Sequence, residues 1–302
     1  MPSGVLTNRI NLACLRLASG LVVFLAACQA GAPSPTLPTF MPSPSIPAAA
    51  VETPTATLSP SPAIPAADTP TTSPSAPPSA APGVELCSPL QDIAWAELPG
   101  MISNPFHPPR AGSDDPHQAV DFAEIGAAGY AVAGRGVQAV LEGRIAGVIA
   151  DRFPYGNAVL VESPLEGLPG EWLEGLSLPP PAPTLAVIPA LTCPAGEPLA
   201  YDPEKRSLYL LFAHLEAPPA LEPGQAVGCG QALGSVGMSG NALNPHLHLE
   251  VRVAPAGIRL ESMAHYDTSA APQEMANYCT WRVSGLFQRI DPMGLWRVDE
   301  EP

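Results

Sequence analysis

The run His246-Leu247-His248-Leu249-Glu250-Val251 constrains the folds open to this chain more than any other feature, because polar and apolar side chains alternate along it without a break. Such alternation marks a β-strand. A strand sends successive side chains to opposite faces, so His246, His248 and Glu250 share one face while Leu247, Leu249 and Val251 pack behind. Two imidazoles side by side on a stiff strand can divide the work of a metal site, one binding the ion and the other handling protons. Further ligands must then come from elsewhere in the chain. The competing reading of the pair alone is a set of satisfied, partly buried histidines.

Two other segments supply candidates. In His117-Gln118-Ala119-Val120-Asp121-Phe122, the β-branched and aromatic residues after Asp115-Pro116 indicate a loop entering a short strand, with His117 and Asp121 at its mouth. Leu208-Tyr209-Leu210-Leu211-Phe212-Ala213-His214 is a strongly apolar strand ending in a single histidine. Catalytic zinc takes three protein ligands from His, Asp or Glu and keeps a fourth position for water, whereas closed structural sites favour four ligands, often cysteine. A set drawn from these histidines and the aspartate suits the open kind. The His-Glu-x-x-His pattern, in which a helix holds zinc, is absent.

The succession HQAVDF, YGNAVLVE, LYLLFAHL and PGQAVGCGQALGSVGMSGNALNPHLHLEVR resembles the lysostaphin-type zinc metalloendopeptidases, which cut peptide bonds in bacterial cell-wall peptidoglycan. The resemblance runs from about Ile102 to Arg252, with a family-like ending at Asp291-Pro292-Met293-Gly294-Leu295. It implies Zn2+ held by His117, Asp121 and His248, with His214 and His246 as catalytic residues and peptidoglycan peptides as substrate. One alternative is a noncatalytic lysostaphin-like regulator of another wall hydrolase, the role open to relatives that have lost zinc ligands; all five residues are present here. Another is a zinc endopeptidase acting on exported proteins.

Residues near these motifs carry smaller expectations. Glu250 either orients an imidazole from behind or is an exposed strand carboxylate. Ser239 reads as a turn serine or as a clamp on the loop before the histidine strand, and Asn157 reads as turn chemistry before a substrate contact. His107 and His265 are expected on surface or loop positions. The glycine-rich hairpin around Gly224 also resembles lipoyl and biotinyl carrier domains, but the only lysine, Lys205, lies far from a hairpin tip. Its glycines are expected to supply positive φ angles and bulges.

The rest of the chain describes an exported protein. Arg9 and Arg16 precede an apolar run from Leu17 to Ala27 of signal-peptide length, and Leu25-Ala26-Ala27-Cys28 resembles a bacterial lipoprotein signal with Cys28 as the lipidated residue, the alternative being a chance cysteine after an ordinary signal peptide or an uncleaved anchor. Residues 28–83 are nearly all Pro, Ala, Ser and Thr, a composition that cannot offset its ordering entropy, so this segment reads as a tether. The expected location is the outer face of the cell membrane or the envelope, with a lipid anchor. A net charge of −15 disfavours nucleic acid as a partner.

Residues 84–302 are long enough for one domain, with a core at about 102–254 and a C-terminal extension, expected to act as a monomer. Cys87, Cys193, Cys229 and Cys279 form an even set in an oxidising compartment. The favoured pairing is Cys193 with Cys229 and Cys87 with Cys279, the latter fastening the domain's ends. The expected fold is all-β, with antiparallel strands near Ala119–Phe122, Gly136–Val148, Ala158–Glu162, Leu208–His214 and His246–Val253, and a short helix over Ala271–Tyr278. Two insertions, between Glu162 and Ser207 and after Arg252, read equally as walls or caps of the groove near His214 that narrow substrate choice and as loops without a groove role pinned by disulfides.

Overall fold

A computed structural model of the chain describes residues 84–107, 109–110, 112–115, 117–181 and 191–297. Residues 1–83, with the expected leader, Cys28 and the expected tether, lie outside the described residues. After a 3-10 turn at Trp95–Met101 come β1 (Ile102–Asn104), β2 (Val120–Phe122), β3 (Gly136–Gln138), β4 (Gly143–Arg152) and β5 (Gly156–Pro164). Helix α1 (Gly170–Gly175) and strand β6 (Asp202–Ala213) follow, then β7 (Ala226–Val227), β8 (Ala232–Ser235) and β9 (Leu247–Ala256). The chain closes with α2 (Pro272–Arg282), β10 (Gln288–Ile290) and α3 (Gly294–Arg297).

The main sheet has eight strands in the order β1-β2-β9-β6-β5-β4-β7, with β10 also paired to β9, and every pairing is antiparallel. The all-β expectation therefore holds. Strands β3 and β8 form a separate pair. The central strands are buried on both faces, which explains the unbroken apolar run of β6. One face packs Val159, Val161, Leu208, Leu210, Phe212, Leu247, Leu249 and Val251 into the larger core. The other face carries Ala158, Leu160, Tyr209, Leu211 and Ala213, covered by Ile258, Tyr278, Trp281 and Phe287 from the chain after β9.

Three expectations need correction. The single strand over Gly136–Val148 is two strands in different sheets, since β3 pairs with β8 while β4 pairs with β5 and β7. At the start of β4 a Cβ on Gly143 would lie 2.2 Å from the carbonyl oxygen of Glu162, an approach only glycine allows. The helix extends beyond Tyr278 to Arg282, and its period was blurred because Ala276, Asn277, Tyr278, Cys279, Trp281 and Arg282 are nearly all buried in succession.

All four cysteines are paired, but as Cys87–Cys229 and Cys193–Cys279 rather than the favoured combination. Cys87 is not joined to Cys279. Instead Cys87 donates its amide to Val140, and the adjacent Ala139 exchanges backbone hydrogen bonds with Gly230 and Gln231, so the first residues dock beside Cys229. Cys193 belongs to the inserted segment that lies against α2, where Gly196 faces Ala276 and Glu197 donates its amide to Gln273.

Candidate metal centre

Strand register delivers the site. His248 on β9 faces Asp121 on β2 from one side and Ala213 on β6 from the other. Directly opposed residues have Cβ atoms about 4.5–5.5 Å apart on one face, so Asp121 arrives beside His248 without any loop rearrangement. His214 follows Ala213 at a φ of 62°, an uncommon conformation for a non-glycine residue. Its backbone N–H donates to Tyr155 at 3.1 Å and its Nδ1 lies 2.8 Å from the Ser239 carbonyl oxygen.

Three donor atoms converge. His117 Nε2 lies 3.0 Å from Asp121 Oδ1 and 3.2 Å from His248 Nδ1, and the latter two are 2.9 Å apart. A tetrahedral zinc ion with bonds of about 2.0–2.1 Å sets its ligands roughly 3.3 Å apart, so this triangle has the right size. Asn104 Nδ2 donates to Asp121 Oδ2 at 3.3 Å, leaving Oδ1 to face the imidazoles. The residues present therefore fit a zinc ion with an open position.

Behind the triangle, His248 Nε2 lies 3.2 Å from Glu250 Oε1. An imidazole whose far N–H donates to a carboxylate is held in the tautomer that offers its other nitrogen to a metal. Glu250 is fully buried, which decides between its two sequence readings. Its carboxylate accepts from Tyr155 Oη at 2.9 Å, Trp281 Nε1 at 3.0 Å, Arg252 Nε at 3.0 Å and Arg282 NH1 at 2.7 Å. Burial pushes its pKa up, but the two arginines outweigh that and hold the carboxyl well below its usual range.

The same competition runs through the triangle. Burial raises Asp121, yet its hydrogen bonds with His117 and His248 dominate and keep it ionised well below the usual carboxylate range. Burial lowers His248, while Asp121 and Glu250 together raise it to about 9. Without metal, His248 thus carries a proton at neutral pH, and a metal at Nδ1 must displace it. Zinc uptake by the metal-free protein at pH 7 is expected to release about one proton from this ring, so affinity rises with pH up to about 9. Calorimetry in two buffers of different protonation enthalpy measures this; uptake without proton release would contradict coordination through His248.

His214 and His246 complete the cluster. Their ring centroids are 4.8 Å apart, and the His246 Nε2 lies 3.6 Å from Asp121 Oδ2. The His246 Nδ1 is 2.8 Å from the Asn244 carbonyl oxygen, as that of His214 is from Ser239, so in both rings Nδ1–H donates to backbone and Nε2 is left for chemistry. Burial and the neighbouring His248 and His246 push His214 down to about 3, which keeps it neutral at physiological pH. All five residues line one groove of about 610 Å³.

Ser239 is a clamp. Its Oγ donates to the Leu215 carbonyl at 2.7 Å and accepts the Asn157 amide at 2.9 Å. Asn157 is structural, its amide oxygen accepting from Asp151 N and its Nδ2 donating to the Leu215 carbonyl. Close approach of the loop depends on Gly240, whose added Cβ would lie 2.4 Å from Gly156 N. His107 is exposed and His265 lies on the irregular run between β9 and α2, as expected, although the His265 ring is buried at 8% exposure against Tyr266 and Tyr278. The tyrosine wall that covers it comes from the C-terminal extension, which sequence spacing does not reveal.

The insertions divide in their roles. Tyr266, Tyr278 and Arg282 of the C-terminal extension line the groove, whereas no described residue between Glu162 and Ser207 does. Sequence reasoning missed Asp114, Tyr155, Arg252, Trp281 and Arg282. Arg252 had a signal, since it continues the alternation of His246, His248 and Glu250; the others come from distant loops and α2.

No family model matches the sequence, and no curated protein matches it. Solved structures do. They include a candidate peptidase M23 of Pseudomonas aeruginosa, at 21% identity and a TM-score of 0.28, covering 58% of this chain and 47% of that one. The catalytic domain of the antimicrobial peptidase lysostaphin from Staphylococcus simulans matches at 17% identity and a TM-score of 0.31, covering 54% and 87%. A zinc-containing peptidase from Vibrio cholerae matches at 18% identity and a TM-score of 0.29, covering 54% and 37%. The chain thus spans about half the length of the Pseudomonas protein and less of the Vibrio one. At these values the functional assignment rests on the side chains of this chain.

Proposed function

We propose that this chain is a zinc-dependent endopeptidase that hydrolyses peptide bonds of bacterial peptidoglycan at the outer face of the cell membrane, anchored through a lipid on Cys28. The observation that carries the reading is the donor triangle of His117, Asp121 and His248, with no edge above 3.2 Å, flanked in the same groove by His214 and His246. The motif order supports the substrate class, and the two disulfides agree with an oxidising compartment outside the cytosol.

His117, Asp121 and His248 would hold the ion, and Glu250 would fix the His248 ring. When bound, zinc supplies a Lewis acid that acidifies a water and polarises a carbonyl. His214 and His246 serve as the base that takes the water's proton and as the donor to the oxyanion or departing amine. Their backbone hydrogen bonds hold both Nε2 atoms ready for that exchange.

Incubating the purified protein with peptidoglycan, with and without a chelator, and identifying new termini by mass spectrometry tests the reading. Chelator-sensitive cleavage of stem-peptide or cross-bridge bonds is expected. A zinc-loaded protein that cleaves nothing but stimulates a separate wall hydrolase would replace it with the regulator, and cleavage confined to exported proteins would remove the wall substrate.

A further inference from the structure

We infer that Arg282 is a positioning residue that steadies two ligands of the metal centre at once, one through each side of its guanidinium. The inference rests on the zinc reading above. His117 lies on the irregular run between β1 and β2, and strand pairing begins only at Val120. Backbone without a ladder must be fixed by other contacts.

The His117 carbonyl accepts from the His107 amide at 3.1 Å, and Arg282 adds further contacts from α2. Its NH2 donates to the Asp114 carbonyl at 3.1 Å, and its Nε pairs with Asp114 Oδ1. Tyr266 and Tyr278 donate to the other carboxylate oxygen of Asp114 at 2.8 and 2.7 Å. Asp114 stands three residues before His117, so pinning one restricts the other. On its far side Arg282 donates from NH1 to Glu250 Oε1 at 2.7 Å, the oxygen that also faces His248 Nε2 at 3.2 Å.

A single side chain therefore joins the loop that carries His117 to the carboxylate that orients His248. These contacts are shielded, with Arg282 at 9% and Glu250 at 0% exposure. A planar guanidinium presents donors in a fixed fork and can serve two carboxylates at a set spacing, which a lysine ammonium cannot. Arg252 makes a parallel bridge from Glu250 Oε2 to Gln118 Oε1, but it does not reach Asp114. The C-terminal extension is on this account part of the metal centre and not a cover added to it.

The test compares the full-length protein with Arg282→Met, Arg282→Lys and Asp114→Asn. Zinc affinity is read by competition with a chromogenic chelator, and amide hydrogen exchange of residues 107–122 is read in the metal-free protein. Arg282→Met is expected to weaken zinc binding about 10–100-fold and to speed exchange across the loop, with partial rescue in Arg282→Lys. Asp114→Asn leaves the Arg282–Glu250 contact in place and is expected to weaken binding less, with faster exchange confined to the loop. Should Arg282→Met fail to fold, Asp114→Asn decides. Wild-type zinc affinity and wild-type loop exchange in the folded variants would overturn the inference. A wild-type chain that binds no zinc would instead remove the zinc reading, while the exchange data still judge the clamp.

Discussion

Replacing His214 or His246 by alanine will lower peptide-bond cleavage by about 10²–10⁴-fold, the usual contribution of a positioned acid or base, while zinc stays bound. The reason is the division of labour in the cluster. Neither ring belongs to the donor triangle of His117 Nε2, Asp121 Oδ1 and His248 Nδ1, yet both line the same groove. Each has its Nδ1 tied to a backbone carbonyl, so its Nε2 keeps a fixed direction and tautomer. The rate constant should fall without a matching rise in KM, since the lost interaction acts on the proton transfers. Single-turnover kinetics with metal analysis checks this; zinc lost in step with activity would move these histidines into the ligand set.

The second large effect concerns the triangle itself. His248→Ala or Asp121→Ala will abolish stoichiometric zinc retention on dialysis and cleavage with it. The loss should exceed the roughly 10–100-fold typical of removing an outer partner. Asp121 supplies the only carboxylate oxygen of the triangle and touches His117, His248 and His246. Its removal takes away the negative charge that offsets the dication and leaves the imidazoles to repel one another if protonated. Zinc content by atomic spectrometry measures the outcome. Full retention in either variant would contradict the assignment of those ligands.

Much of this centre could be read from the chain because strand chemistry is local. The alternation from His246 to Val251 fixed which side chains share a face, and the core behind β9 holds Leu247, Leu249 and Val251 as expected. Cross-strand partners are harder to read, yet apolar patterning marks the strands at Val120–Phe122 and up to Ala213, and their register sets Asp121 and Ala213 opposite His248, while His117 arrives on the preceding loop.

What escaped has no local signature. Glu250 reads equally as an exposed carboxylate until Tyr155, Trp281, Arg252 and Arg282 are seen around it. Asp114 looks like a loop aspartate, and Arg282 sits on a helix whose buried residues run together. The disulfide pairing failed for the same reason, because the docking of Cys87 beside Val140 and Cys229 is a tertiary fact. Within the 136–148 stretch, Gly143 is constrained by Glu162 on the neighbouring strand, a contact that sequence spacing does not show.

Two trios of side chains in this groove lie close enough together to hold a metal, His117 with Asp121 and His248, and His214 with His246 and His248. Anomalous diffraction at the zinc absorption edge from crystals of the zinc-loaded protein separates them. A single peak equidistant from His117 Nε2, Asp121 Oδ1 and His248 Nδ1, with a water at the fourth position, is the expected result. A peak among the three histidines of the other trio, or none within reach of the triangle, would contradict the account.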